Sequence, residues 1–202
     1  MKRFLPLLIL IVTLIGITGV ICLASENSPA PLADSSADEG RTFTKEDRLQ
    51  ISNVITEMPK TFEATIKLPA GLSGNGGTII SNYDSAYKAN TFILDVTSTG
   101  SPQLTVRYDT VDANRHTYKF SNVKLTTGEW LHLAIVRDGG SLHCYVDGVL
   151  AETLAYTAPE ITMTREIYVG GDLRRSNGNY NYDFFKGSMK NIALYSDARS
   201  SN

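Results

Sequence analysis

Two stretches of this chain set tyrosine, asparagine and aspartate side by side. Ser81-Asn82-Tyr83-Asp84-Ser85-Ala86-Tyr87 follows the apolar pair Ile79 and Ile80, and Arg174-Arg175-Ser176-Asn177-Gly178-Asn179-Tyr180-Asn181-Tyr182-Asp183 lies toward the C-terminus. Such a mixture suits a sugar. An aromatic ring stacks on the apolar C–H side of the sugar ring, while amides and carboxylates hydrogen-bond the hydroxyls. The candidate ligand-binding residues are therefore Asn82, Tyr83 and Asp84 in the first stretch and Asn177, Asn179, Tyr180 and Tyr182 in the second. The competing reading is that Asn, Gly and Asp only shape turns, with Tyr180 and Tyr182 packed on the rim of the fold.

The other chemically capable residues point to structure. His132 and His143 fall on facing strands of one expected hairpin, where they could be cross-strand neighbours. A zinc or acid–base site needs a further partner, and no third ligand stands at suitable spacing, so both are expected to pack beside Trp130. Alternation sends Cys144 to the face opposite His143, away from an activating base, and predicts a small buried hydrophobe. Trp130, opening an apolar strand, is expected to fill the core at about 3–5 kcal/mol of stability. No residue is assigned a catalytic or metal-binding role.

The elements that must position these residues are strands. Phe62, Ala64, Ile66 and Leu68 alternate with polar residues, as do Phe92, Leu94 and Val96, and again Leu104, Val106 and Tyr108. Strict alternation marks half-buried strands. Gly74-Asn75-Gly76-Gly77, Thr99-Gly100-Ser101-Pro102, Asp138-Gly139-Gly140 and Asp147-Gly148 separate the runs and suit hairpin turns. Trp130 to Leu154 thus predicts a three-stranded meander. Between Met189 and Ile192 the alternation slips by one residue, which predicts a β-bulge near Lys190 and Asn191. Thr44-Lys-Glu-Asp47 could cap one short helical turn. Many short strands at regular spacing predict a sandwich or barrel.

Gly128-Glu-Trp130-Leu-His132-Leu-Ala134, then Tyr145-Val-Asp147-Gly148, then Phe185-Lys-Gly187-Ser-Met-Lys-Asn-Ile-Ala-Leu-Tyr195 resembles the laminin-G-like members of the concanavalin A-like lectin and glucanase superfamily. The resemblance spans roughly residues 61–200 and implies an all-β, antiparallel jelly-roll β-sandwich of two packed sheets. It leaves function open, since that fold hosts lectins, enzymes, adhesion modules and spacers. Similar domains also sit as accessory modules in large exported bacterial proteins. Hydrolytic members carry a Glu-x-Asp-x-x-Glu strand that sets two acids on one face. That pattern is missing here: Glu63 and Asp95 are each the only acid in their strand. Calcium occurs in relatives on loop oxygens, and Asp84, Asp172 and Asp183 are the loop acids to consider, although no cofactor is required.

Met1-Lys2-Arg3 precedes an uncharged apolar run from Phe4 to Ala24 that ends Cys22-Leu23-Ala24, the pattern of a secretory signal cleaved after Ala24. An uncleaved anchor is the alternative, because the run is long enough to span a bilayer. Residues 1–24 are thus read as signal peptide or anchor, 25–41 as a flexible Ser/Ala/Pro/acidic linker, and 42–202 as one domain. With Cys22 removed, Cys144 is the one cysteine left, so burial alone must hold the fold. The formal charge of −2 includes no basic block, which argues against nucleic acid. The expectation is a secreted or extracellular, non-catalytic module that binds a carbohydrate or cell-surface glycan. Membrane contact is expected only through an uncleaved anchor. The alternative is a structural or protein-adhesion accessory domain of a larger exported protein, with a protein partner and no glycan site.

Overall fold

The computed structural model describes residues 33–35, 40–43, 49–51, 55–176, 179–181 and 183–199, with backbone alone for 33–35, 174–176 and 179–181. The signal segment, the linker apart from 33–35, 40 and 41, the Thr44–Asp47 turn, Asn177 and Tyr182 lie outside the described residues.

The strands in chain order begin with β1 (Ala33–Ser35), β2 (Arg41–Phe43), β3 (Leu49–Ile51), β4 (Thr61–Lys67), β5 (Gly77–Ser81), β6 (Thr91–Val96), β7 (Pro102–Arg107) and β8 (His116–Lys119). They continue with β9 (Trp130–Asp138), β10 (Ser141–Val146), β11 (Val149–Ala155), β12 (Ile167–Val169), β13 (Arg174–Ser176), β14 (Asn179–Asn181) and β15 (Gly187–Tyr195). One sheet runs β1-β15-β4-β9-β10-β11, with β2 also paired to β15. The second runs β3-β12-β5-β6-β7-β8, and β13 and β14 form a separate ribbon. Pairing is antiparallel throughout these sheets. The all-β jelly-roll sandwich expected from the sequence is the fold observed.

Period two explains the layering. Phe62, Ala64 and Ile66 of β4 are buried, while Glu63, Thr65 and Lys67 between them are half-exposed. Phe92, Leu94 and Val96 of β6 and Leu104 and Val106 of β7 meet them from the other sheet in one core. The Phe62 and Phe92 rings close the sandwich, with centroids 5.2 Å apart and planes tilted by 59°. The meander forms as expected. Gly139 and Gly140 turn β9 into β10, and Asp147-Gly148 turns β10 into β11 with both φ angles positive, 49° and 78°. That is the hairpin geometry for which Asp-Gly is selected. Asp147 adds a tie, its Oδ1 accepting a hydrogen bond from the His132 backbone N–H at 2.7 Å. The bulge also lies where the alternation slips: the β15–β4 register shifts between Lys190 and Ala193, and Asn191 has φ 50°.

Three expectations need correction. His132 and His143 are not cross-strand neighbours, because the tight Gly139–Gly140 turn sets a register in which His143 faces Val136. His143 Nδ1 instead meets Thr153 Oγ1 at 2.9 Å. Ala33–Ser35, inside the expected flexible linker, is paired with β15 as an edge strand. Composition rules out a core for that stretch, but an open strand edge pairs with backbone whatever the side chains.

The third correction concerns Trp130. Leu131, Leu133 and Ile135 take the core face of β9, so alternation turns Trp130 outward, where it is 37% exposed. Its ring lies close to Gly40, where an added Cβ would stand 2.6 Å from Cη2, and Lys190 Nζ sits 4.8 Å from its centroid. Partial burial and one cation–π contact contribute far less than a core position. Trp130→Ala is expected to lower stability by about 1–2 kcal/mol, read from the urea midpoint at constant slope. A loss as large as that of a buried phenylalanine would return the ring to the core.

Candidate functional site

The side of the second sheet facing away from the core carries the polar half of the same alternation. On β6 it presents Ile93 and Asp95, on β7 Gln103, Thr105 and Arg107, and Thr117 on β8, with Arg115 just before that strand. Antiparallel register assembles them in rows. Asp95 pairs with Gln103, Ile93 with Thr105, and Thr105 in turn with Thr117. These residues line a strongly polar depression of about 380 Å³, to which Asn75, Tyr83 and Asp183 contribute from the surrounding loops.

Arg107 is its dominant charge and is only 9% exposed. Its Nη1 donates to Asp112 Oδ1, and its Cζ lies 5.4 Å from the centroid of the Tyr83 ring. Nε is buried and has no hydrogen-bond partner among the described residues. Asp112 opens a 3-10 turn, Asp112–Asn114, and also takes Lys88 Nζ at 3.1 Å. The Arg107 guanidinium, followed by Lys88, holds the exposed Asp112 carboxyl below the usual carboxylate range. At the opposite row Gln103 Nε2 donates to Asp95 Oδ1 at 3.3 Å. The depression therefore offers a cationic end and an end rich in amide and carboxylate acceptors, a layout able to hold a hydroxylated polar ligand.

The larger cavity, about 590 Å³, lies among Ile55, Met58, Lys60, Arg137, Glu160 and Ile161. Its buried cation is committed to the fold. Arg137, 4% exposed, donates to the Met58 and Pro59 carbonyls at 2.9 and 3.2 Å, to Tyr156 Oη at 3.3 Å and to both Glu160 oxygens at 3.0 and 3.2 Å.

The first candidate loop divides between structure and site. Asn82 is 1% exposed and works as a backbone clip, its Nδ2 donating to the Asn90 carbonyl and its Oδ1 accepting from the Phe92 N–H at 2.7 Å. Asp84 Oδ1 accepts from the Ala86 N–H at 2.8 Å. Tyr83 is the member that reaches the depression. In the second loop, Asn179 and Tyr180 stand on β14, opposite Ser176 and Arg175 of β13, and Asp183 after it lines the same depression. Sequence reasoning passed over Arg107, Arg115, Gln103 and Thr105, although the polar residues alternating with Leu104 and Val106 were the signal that would have found Gln103, Thr105 and Arg107.

Of the acids considered for calcium, Asp172 is fully buried and accepts from the Asp183 N–H at 3.1 Å. Among the described residues no three His, Cys, Asp or Glu side chains gather as a metal site. Glu63 on β4 and Asp95 on β6 belong to different sheets. Cys144 is fully buried, and that burial, with Glu152 adding to it, pushes its thiol up to about 12.

Comparison with known proteins follows the fold. None of the curated proteins is significantly similar in sequence. Among solved structures, the carbohydrate-binding module CBM40 of the Ruminococcus gnavus IT-sialidase, bound to α2,3 sialyllactose, superposes with a TM-score of 0.63 at 18% identity, over 85% of this chain and 95% of that one. Domain 4 of the Geobacillus stearothermophilus extracellular arabinanase AbnA, in complex with arabinotriose, gives 0.56 at 15% identity, over 86% and 79%. A heptameric pentraxin from Limulus polyphemus gives 0.55 at 16%, over 83% and 77%. At these identities the likeness is one of fold. The sequence itself matches a family model over residues 43–202, and the chain belongs to the concanavalin A-like lectin/glucanases superfamily.

Proposed function

We propose that this chain is an exported, non-catalytic carbohydrate-binding module whose ligand lies in the polar depression on the second sheet. The observation that carries the reading is the depression itself: a rigid β floor of Thr105, Gln103 and Arg107 with Tyr83 at its edge. A rigid sheet holds hydrogen-bonding groups in register, and an aromatic beside them offers a stacking surface. Two structures of similar fold hold sugars, which supports the same reading. Glu63 and Asp95 stand on different sheets rather than as a pair on one strand, which supports binding without hydrolysis. Calcium is not needed for a floor built of side-chain donors and acceptors, and the apolar N-terminal segment accounts for export.

A glycan array probed with the purified chain, with and without chelator, tests this. Saturable binding of at least one glycan, unchanged by chelator, is expected. Silence across the array from folded protein would sink the reading. One observation favours a second reading, protein adhesion. Val149 and Leu150 are 69% and 50% exposed on β11, which among the described residues is paired on one side alone. Open apolar edges attract partner chains.

A further inference from the structure

We infer that the depression takes an anionic sugar, one bearing a carboxylate, and that Arg107 and Arg115 recognise that charge. The inference rests on the carbohydrate-binding reading above and adds the ligand's charge class to it.

Arg107 ends β7 opposite Thr91, nine-tenths buried, with its guanidinium near the Tyr83 ring. A purely structural buried arginine engages its donors within the fold, as Arg137 does. Arg107 differs: among the described residues its guanidinium makes one side-chain hydrogen bond, from Nη1 to Asp112, and it lines the depression. The guanidinium fork matches the two oxygens of a carboxylate, so an arginine here selects for shape as well as charge.

The surrounding charges point the same way. Asp112 is shared between Arg107 and Lys88, and its side chain is 60% exposed. Asp109, the other acid of that turn, is occupied by the Val111 N–H and by Asn114 Nδ2. Arg115 lines the depression with no side-chain ion pair among the described residues. Arg107, Arg115 and Lys88 thus face Asp109 and Asp112 at this corner, and Asp95 and Asp183 are the acids that line the depression itself. Asp95 stands at the far end, since Gln103, its register partner, is four residues from Arg107 along β7, about 13 Å at the usual strand rise. A ligand carboxylate can therefore sit at the arginines without meeting Asp95, while Thr105 and Gln103 face its hydroxyls.

The test is calorimetric titration of the purified chain with 3′-sialyllactose, its carboxyl methyl ester, lactose, 3′-sulfated lactose and arabinotriose. Sialyllactose is expected to bind at least tenfold more tightly than the ester, lactose or sulfated lactose. Arg107→Gln should lower its affinity at least tenfold and Arg115→Gln several-fold, and Arg107→Lys should not restore it. If Arg107→Gln fails to fold, the ester and the exposed Arg115→Gln carry the test. Lactose or arabinotriose binding as tightly as sialyllactose, undisturbed in the arginine variants, would overturn the inference and leave the carbohydrate reading standing. Equal affinity for sulfated lactose would overturn the carboxylate assignment. No binding by any probe would overturn the inference, and together with a silent array it would remove the carbohydrate reading as well.

Discussion

Gly77→Ala is expected to lose about 2–5 kcal/mol, a large share of the about 5–15 kcal/mol by which a domain is ordinarily stable. Gly77 opens β5 with φ 88°, and an added Cβ would stand 1.6 Å from the Phe184 carbonyl oxygen and 2.4 Å from its carbon. Those atoms are backbone and cannot rotate away. The two segments are also laced together. Lys186 N–H donates to the Gly76 carbonyl at 2.7 Å, and Thr78 bridges to Phe184. A left-handed Cβ costs about 1–2 kcal/mol, and forcing packed segments apart about 1–3 more. Gly74→Ala separates the two contributions. Gly74 has φ 76°, but its nearest neighbour is the flexible tip of Lys186 at 3.8 Å, so only the conformational cost applies. Equal losses in guanidinium titrations of the two variants would show that the close approach to Phe184 is not the cause.

Phe62→Ala carries the next largest effect, about 3–5 kcal/mol, the range for a buried aromatic truncated to alanine. Phe62 is 2% exposed on β4 and lies in register with Ile135 on one side and Leu194 on the other. Its ring also meets Phe92 across the sandwich, so the cavity would open between two sheets already tied to their neighbours. Little relaxation can fill it. The midpoint should fall while the denaturant slope stays constant, because the surface exposed on unfolding hardly changes. A Trp130→Ala loss matching that of Phe62→Ala would contradict the assignment of one ring to the core and the other to the surface.

Those two aromatics show where the sequence was legible. The core could be read because alternation depends on the strand period, which the residues carry themselves. The same rule, applied from Leu131, Leu133 and Ile135 back to Trp130, places the tryptophan outside. Residue size had outweighed position. The bulge at Asn191 was legible for the same reason as the strands, since one inserted residue breaks the count. The site was harder to read. Attention to loops reached Tyr83 but also Asn82, whose amide is spent on the Asn90 and Phe92 backbone. Arg107, Thr105 and Gln103 are scattered in an unremarkable polar run until antiparallel pairing aligns them with Asp95 and Thr117. The β1–β15 contact was not legible, because edge pairing uses backbone groups that every residue shares.

Cys144 gives the domain two chemical lives. Folded, it is sealed inside the sandwich and its thiol, pushed up to about 12, is almost wholly protonated at neutral pH and slow to oxidise. Unfolded, the same thiol returns to the ordinary range near about 8.5, in open contact with oxidants and with other chains. Crossing the unfolding barrier in an oxidising medium therefore permits covalent dimers that cannot refold to the starting state. Durability there is set by how rarely a molecule opens, a rate, more than by the free energy separating the two states.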